Sequence, residues 1–197
     1  SQGSKANPNL YEIAFTEHLL DSLTEDGKAI VIVPQSSMTG KTKEEQAIKE
    51  NILKKHTLEG VIPLTQNTFY SVGTNPCIAV FTTGIPHDKA KIVKFINFEN
   101  DGFEVQKHIG LVETVSAKDK KQHLLDVWFG RIQAESKFCV ETTVEANDEW
   151  LHSFYYFNDE IPTEADFEKV IADYLTFEGD MITHNRGYLF GLEVADE

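Results

Sequence analysis

A short apolar run in the first fifth of the chain constrains the fold more than any other feature. Residues 29–33 read Ala-Ile-Val-Ile-Val without polar alternation, and Pro34 follows at once. An unbroken run of β-branched residues is typical of a strand in a parallel sheet that is covered on both faces. Pro34 ends the strand because proline has no amide hydrogen for the ladder. We therefore expect a buried strand over residues 28–33 in an α/β fold.

The segments around this strand predict alternating helices and strands. The apolar spacing over residues 10–23 predicts a helix, and Thr42 followed by Glu45 is a capping-box pattern that opens a second helix reaching about Lys55. Further short apolar strands are expected over residues 58–64, 76–82 and 91–98. Helix, strand, helix and strand closed by two consecutive strands is the order of the second half of a doubly wound sheet.

The sequence beyond residue 98 no longer alternates short apolar strands with helices. Ser116 caps a predicted helix over residues 117–129, and Thr163 opens another helix with several apolar residues. An aromatic and acidic stretch, EWLHSFYYFNDE, lies between them. A chain of 197 residues suits one domain with an appendage. We therefore expect an α/β part over residues 1–98 and a partly helical extension over residues 99–197.

The loop after the apolar run is close to a phosphate-binding loop but lacks one residue that such a loop requires. The pattern is G-x-x-x-x-G-K-[ST], in which the first glycine lets backbone amides curl round the phosphates. Gly40, Lys41 and Thr42 match its end, whereas Gln35 stands where the first glycine belongs. We interpret the segment as a strand-to-helix connection in which Thr42 is a helix cap.

The charge balance argues against DNA binding by this chain alone. The chain has 18 basic and 32 acidic residues and a net charge of −14, whereas a self-sufficient nucleic-acid binder usually has a basic face. The basic residues that cluster locally are Lys41, Lys43, Lys49, Lys54 and Lys55. Tight, independent DNA binding by this cluster is not expected.

Other classes of site find no support in the sequence. The seven histidines have no metal-binding spacing, and Cys77 and Cys139 lie far apart without a C-x-x-C pair, so no metal site is predicted. No apolar run approaches the ~18 residues of a membrane span. The polar start of the chain lacks the apolar core of a signal peptide. The simplest interpretation is a cytoplasmic protein without membrane partners.

An ordered set of segments resembles one enzyme family. The segments are LYEIAFTEHLLDSLTEDGKAIVIVP, EEQAIKENILKKHTLEGVIPL, FYSVGTNPCIAVF and KIVKFINF, and they cover about the first half of the chain. This set resembles the modification (M) subunit of type I restriction–modification systems, an adenine-N6-specific DNA methyltransferase. The resemblance implies α/β architecture: the second half of a Rossmann-like S-adenosylmethionine-dependent methyltransferase sheet ending in a β-hairpin, over residues 1–98. A partly helical C-terminal extension over residues 99–197 would follow.

The resemblance also indicates which parts of such an enzyme are missing. In the family, the catalytic motif is Asn/Asp-Pro-Pro-Tyr/Phe, placed just ahead of the helix that here begins near Leu10, and S-adenosylmethionine binds beside an earlier Gly-containing loop. Residues 7–10 read Asn-Pro-Asn-Leu, and no G-x-G-x-x-G occurs. We therefore expect a fragment that starts after the catalytic motif. It would have no catalytic or cofactor-binding residue of its own and no activity alone.

One part of the family's site is expected in this chain, a pocket for the target adenine. In related enzymes an aromatic residue before the last hairpin stacks on the adenine, which is first flipped out of the duplex. Phe69 occupies the matching place, with Tyr70 as the second candidate. Pro34, Gln35 and Ser36 follow a strand whose carboxyl end faces the crevice, so we expect them to line the same pocket. The alternative for Phe69 is packing beneath the hairpin.

The resemblance implies partners and leaves one alternative open. The substrate would be adenine in double-stranded DNA, methylated from S-adenosylmethionine in a complex with a specificity subunit and, where the system has one, a restriction subunit. The aromatic residues around Trp150 would dock on another subunit or form the domain's own core. The alternative function is a non-catalytic module that keeps the methyltransferase-like hairpin as a scaffold for assembly.

Overall fold

The computed structural model describes residues 8–70, 72–157, 163–184 and 186, and the chain forms two compact units, residues 1–157 and 158–197. The elements of the first unit are α1 (Pro8–Asp21), β1 (Lys28–Pro34), α2 (Gln35–Thr39), α3 (Lys43–Lys55), β2 (Thr57–Pro63), β3 (Pro76–Thr82), β4 (Val93–Ile96), β5 (Phe103–Gln106), β6 (Gly110–Glu113), α4 (Ala117–Trp128), β7 (Cys139–Thr142) and α5 (His152–Tyr155). The second unit contains α6 (Glu164–Thr183).

The main sheet is mixed and has the strand order β1-β3-β2-β4-β7. Strand β3 is antiparallel to both β1 and β2, and β2 is parallel to β4. Strands β1, β2 and β4 therefore run in one direction, and their carboxyl ends lie at the same edge. The predicted hairpin is present as β2 and β3, with β3 inserted between β1 and β2.

The prediction that the apolar run forms a parallel strand covered on both faces is wrong. Strand β1 lies at the border of the sheet and pairs antiparallel with β3, from Lys28 opposite Thr82 to Pro34 opposite Pro76. Ala29 and Val31 are buried, but Ile30 and Ile32 are 69% and 56% exposed. An unbroken apolar run shows that both faces are apolar, but it does not say what covers the second face.

Helices cover the two faces of the sheet to different extents. Buried residues of α1 and α3, such as Ile13 and Ile52, share one core cluster with Phe81 and Phe95 of the sheet. A smaller cluster on the other face joins α4 to β2, β4 and β7. Gly60 permits this close approach, because a Cβ there would lie 2.6 Å from the Trp128 ring.

Part of the predicted extension belongs to the main sheet. The predicted boundary after residue 98 falls within the first unit, because β7 pairs with β4 from Val93 opposite Thr142 to Ile96 opposite Cys139. Trp150 is completely buried, and its backbone N–H donates to the Met38 carbonyl oxygen at 3.0 Å. Trp150 therefore forms part of the domain's own core.

Helix α6 is amphipathic and spans 20 residues. Its exposed apolar side chains are Phe167, Val170, Ile171, Tyr174, Leu175, Phe177 and Ile182. Within the described ranges, no helix has both the length and the apolar character needed to cross a membrane.

Candidate functional site

The carboxyl edge of the sheet brings the two predicted parts of the pocket to the same side of the molecule. Strand β1 ends in Pro34 and β2 ends in Pro63, and both strands point to this edge. The loop over residues 64–75 joins β2 to β3 here, and Pro34 lies opposite Pro76 at the start of β3. Residues 34–36 and the loop that carries Phe69 and Tyr70 therefore share one edge.

Gln35 connects three chain segments at this edge. Its backbone N–H donates to the Asn75 carbonyl oxygen at 2.8 Å. Its side-chain Nε2 donates to the Pro76 carbonyl oxygen at 3.3 Å and to a Glu99 carboxylate oxygen at 3.5 Å. The partners lie just before β3, at its first residue and beyond the end of β4. The residue that excludes a phosphate-binding loop therefore fixes the geometry of the edge.

The turn after Gln35 is held by side-chain hydrogen bonds. Ser36 is exposed, and its carbonyl oxygen accepts from Thr39 Oγ1 at 2.8 Å. Ser37 is buried and donates from Oγ to Glu12 Oε2 at 2.7 Å, which ties α2 to α1. Sequence reasoning missed Ser37 and Glu12, because a polar pair between residues far apart in the chain leaves no periodic signal.

The loop over residues 64–75 presents both candidate aromatic residues at the surface. Phe69 is 45% exposed and Tyr70 is 50% exposed. Neither ring belongs to the two core clusters found in the described part of the chain. Two successive turns shape the loop, in which the Thr68 N–H donates to the Thr65 carbonyl at 3.0 Å and the Val72 N–H donates to the Phe69 carbonyl at 3.0 Å. The rings thus keep open surface for a planar ligand.

Thr68, next to Phe69, carries an unsatisfied polar atom. Its Oγ1 is buried and has no hydrogen-bond partner among the described residues. Leaving a buried hydroxyl unpaired costs about 1–3 kcal/mol. No sequence motif indicated this hydroxyl.

The amino edge of the sheet holds an ion-pair cluster instead. Glu59 accepts hydrogen bonds from Lys91 at 2.8 Å, from Lys28 at 3.1 Å and from the Thr82 hydroxyl. Burial raises the pKa of the Glu59 carboxyl, but hydrogen bonds from Lys91, Thr82 and Lys28 outweigh it and hold the pKa at about 2. This cluster fastens β1, β2 and β3 together at the edge away from the candidate pocket.

The predicted basic cluster is not a continuous cationic surface. Lys49 is completely buried, and its ammonium donates to the carbonyl oxygens of Met38 at 3.2 Å and Thr39 at 3.4 Å. It also lies 4.5 Å from the centre of the Trp150 ring. Burial lowers the pKa of Lys49 to about 8. Counting Lys49 in a basic cluster was wrong, because the ammonium is buried by contacts that include Trp150, about a hundred residues further along the chain.

Two more lysines of this group are neutralised on the helix surface. Lys55 pairs with Glu17 at 2.9 Å and with Asp21 at 2.6 Å. Lys54 pairs with Glu50 at 2.9 Å, one helical turn away. Hydrogen bonding to Asp21 raises the pKa of Lys55, which keeps the pair charged at neutral pH. Lys55 therefore joins α3 to α1, whereas Lys54 is neutralised within α3.

A comparison with known protein families shows the family to which this chain belongs. The family model described as N-6 DNA Methylase matches residues 1–164. The chain belongs to the N-6 DNA methylase family. The predicted relationship to adenine-N6 methyltransferases is therefore confirmed.

A curated relative of this chain is a longer protein. The chain is 50% identical over 182 residues to the type II restriction enzyme and methyltransferase RM.BcgI of Heyndrickxia coagulans. The match covers 92% of this chain and 29% of that protein. The chain thus spans less than a third of the relative's length.

Solved structures show the same fold in other methylases. One is the type I restriction–modification methyltransferase subunit of Streptococcus thermophilus, with a TM-score of 0.55 and 19% identity over 72% of this chain and 28% of that chain. Another is a type I restriction–modification complex, with a TM-score of 0.53 and 11% identity over 98% of this chain and 42% of that chain. These similarities confirm a partial Rossmann-like methyltransferase fold.

Proposed function

We propose that this chain forms part of a site-specific adenine-N6 DNA methyltransferase of a cytoplasmic restriction–modification system. The whole enzyme transfers the methyl group of S-adenosylmethionine to adenine in double-stranded DNA. The observation that carries this proposal is the convergence of the β1 end and the aromatic loop at one edge of a methylase sheet. Ligands of open α/β sheets bind outside the carboxyl ends of the strands.

Within this enzyme, Phe69 stacks on the adenine after the base leaves the duplex. Its half-exposed ring lies on the loop beside Tyr70, which is the second stacking candidate. Stacking on an aromatic side chain contributes about 1–3 kcal/mol per base. Pro34, Gln35 and Ser36 line the same pocket, and Gln35 holds its shape through its bonds to β3. These residues hold a base in place but carry out no chemistry.

The residues of this edge do not fit S-adenosylmethionine. A dinucleotide-type site offers a Gly-rich turn and an acidic group for the ribose. Here β1 ends in Pro34, which has no amide hydrogen. The Gln35 side chain already donates to Pro76 and Glu99, and the Ser37 hydroxyl donates to Glu12. We therefore assign the cofactor to no residue of this chain and expect the chain alone to be inactive.

Methyl transfer is the direct test. The full-length gene product, with the subunits encoded beside it, is incubated with duplex DNA and S-adenosylmethionine carrying a labelled methyl group. We expect labelled N6-methyladenine from the complete protein and none from the 197-residue chain. Failure of the complete protein to form N6-methyladenine on any duplex would overturn the proposal and favour the non-catalytic assembly module.

Helix α6 provides a surface for a partner subunit of this enzyme. A run of apolar residues at alternating three- and four-residue spacing, Phe167, Val170, Tyr174, Phe177 and Met181, is the pattern by which helices pair. Asp173 and Asp180 flank it at a seven-residue spacing. Acidic flanks oppose pairing with a second copy and favour a helix with Lys or Arg at its flanks. We assign this surface to the specificity subunit, and a restriction function resides either in another subunit or elsewhere in the same protein.

A further inference from the structure

The two-stranded ribbon of β5 and β6 is not explained by packing. Its strands pair antiparallel from Phe103 opposite Glu113 to Gln106 opposite Gly110. Every residue of β5 is exposed, and neither strand contributes to the two core clusters identified among the described residues. Isolated two-stranded ribbons are marginally stable in water. A ribbon kept outside the core is therefore placed for contact with another molecule.

The base of the ribbon is fixed to the body of the domain. Gly102 has a φ of +86°, and a Cβ there would lie 2.6 Å from the Ala117 Cα at the start of α4. Only glycine allows both this backbone conformation and this close approach. Thr114 donates to the Gly102 carbonyl oxygen from its backbone N–H at 2.9 Å and from its hydroxyl at 2.7 Å. The ribbon is thus held firmly at one end.

The other end of the ribbon reaches the loop of the candidate pocket. A Cβ built on Gly110, the first residue after the turn, would lie 3.9 Å from Tyr70 Cδ1. The turn over residues 107–109 is closed by the Ile109 N–H, which donates to the Gln106 carbonyl oxygen at 3.1 Å. The ribbon tip and the aromatic loop therefore form one continuous surface.

The tip has a side-chain composition that suits a nucleic acid. Lys107 and His108 are exposed, and Ile109 is 72% exposed. Lys107 forms no ion pair with any residue that the structure describes, and the exposed Lys89 at the amino edge shares this property. A lysine free of carboxylates binds a phosphate, and an exposed aliphatic side chain at a ribbon tip packs against bases.

We propose that the tip of the ribbon, residues 107–109, is a second DNA contact beside the aromatic loop, an inference that rests on the proposed function. Lys107 binds a backbone phosphate near the target adenine. Ile109 packs against the bases that flank this adenine while Phe69 stacks on the flipped base. The ribbon thereby keeps the opened duplex in register with the pocket.

The contact with phosphate is tested by salt dependence. DNA affinity of the full-length protein with its partner subunits is measured from 50 to 200 mM salt for the unmodified protein, for Lys107→Ala and for Lys89→Ala. Lys89 is an exposed control in the loop at the amino edge of the sheet. We expect the slope of log K against log salt to become shallower by about 0.9 in Lys107→Ala, with no change in Lys89→Ala. Equal slopes for the two variants would overturn the phosphate contact.

The contact with bases is tested by base flipping. The fluorescence of 2-aminopurine at the target position reports the flipped base, and Ile92→Ala is the control because Ile92 is 50% exposed at the amino edge. We expect Ile109→Ala to lower this fluorescence and the methylation rate on a matched duplex. A mismatched target pair, which flips more easily, should restore both. Equal fluorescence in Ile109→Ala and Ile92→Ala contradicts the inference.

The same experiments separate this inference from the proposed function. If the unmodified protein forms no N6-methyladenine, the proposed function fails and the ribbon contact fails with it. If the unmodified protein methylates DNA and the ribbon variants match their controls, only the ribbon contact fails. The substituted residues lie outside both core clusters, so we expect the variants to keep the melting temperature of the unmodified protein. Measuring the melting temperature checks that each variant is folded.

Discussion

The side chain of Gln35 donates from Nε2 to the carbonyl oxygen of Pro76 at 3.3 Å and so ties the end of β1 to the start of β3. The two residues lie far apart in the sequence, yet this bond and the Gln35–Asn75 backbone bond fix the mouth of the candidate pocket. The edge that carries the candidate site is therefore held together by hydrogen bonds between chain segments.

Replacement of Gln35 by alanine tests this role. Losing one such hydrogen bond costs about 0.5–1.5 kcal/mol, and the Gln35→Ala change should lower the melting temperature by about 1–6 °C. Differential scanning calorimetry of the 197-residue chain measures the change. Gln66→Ala, in the exposed part of the neighbouring loop, is the matched control and should leave the melting temperature unchanged. Equal effects of the two substitutions would contradict the bridging role.

Replacement of Phe69 tests the stacking role. Phe69→Ala removes a contact of about 1–3 kcal/mol, so methylation of duplex adenine by the complete enzyme should fall by about 5- to 150-fold. Phe69→Trp keeps a stacking surface and should retain most of the rate. Tyr70→Ala identifies which ring carries the contact. Unchanged turnover and unchanged base affinity in both alanine variants end the stacking proposal.

Glu59 makes stability sensitive to acid. The folded state holds the pKa of Glu59 at about 2, below its ordinary value of 4.5. Its contribution to stability is therefore present above pH 4.5 and is lost as the pH falls towards 2. Glu59→Gln should lower the melting temperature at pH 7 and flatten its decline over this acidic range. Thermal unfolding from pH 2 to pH 7 measures both effects. Parallel curves for the two proteins would show that the ion pairs with Lys28 and Lys91 do not contribute.

Lys49 makes stability depend on pH in the alkaline range, with the same sign as Glu59. Its folded pKa of about 8 lies below the ordinary value of 10.5, so the unfolded chain binds more protons between these values and stability from this group rises with pH. The difference in unfolding free energy between the unmodified chain and Lys49→Met should therefore increase from pH 8 to pH 10.5. Chemical denaturation at several pH values measures it. The buried Lys49 side chain also leaves no room for a side chain at position 40, because a Cβ on Gly40 would lie 2.6 Å from Lys49 Cδ.

Helix α6 offers a test of the proposed partner. Val170→Asp places a charge within the apolar face, whereas Ala172→Asp places the same charge away from it. We expect co-purification of the specificity subunit to fail with Val170→Asp and to persist with Ala172→Asp. Asp173→Lys should weaken the complex most at low salt, because it repels a basic partner. Retention of the complex in all three variants would place the interface elsewhere.

Short sequence patterns predicted a structural feature correctly where the physical cause of that feature is local. Thr42 accepts a hydrogen bond from the Glu45 N–H at 3.2 Å, and Glu45 accepts one from the Thr42 N–H at 2.8 Å. Every atom of this capping box lies within one helical turn, so four residues of sequence define it. The sequence also excluded a phosphate-binding loop, because Gln35 stands where such a loop requires its first glycine. The ordered segments likewise indicated the family and the α/β fold.

The sequence by itself predicted the longer helices α1, α3, α4 and α6 and the strands β1 to β4, because hydrogen bonding and apolar periodicity act over a few residues. It did not predict the short elements α2, α5, β5, β6 and β7. Only the tertiary structure decided where those segments lie. It placed β1 at the border of the sheet, buried Lys49 beneath Trp150 and brought the ribbon tip to Tyr70. These arrangements depend on partners far along the chain, and such pairings leave no periodic trace in the sequence.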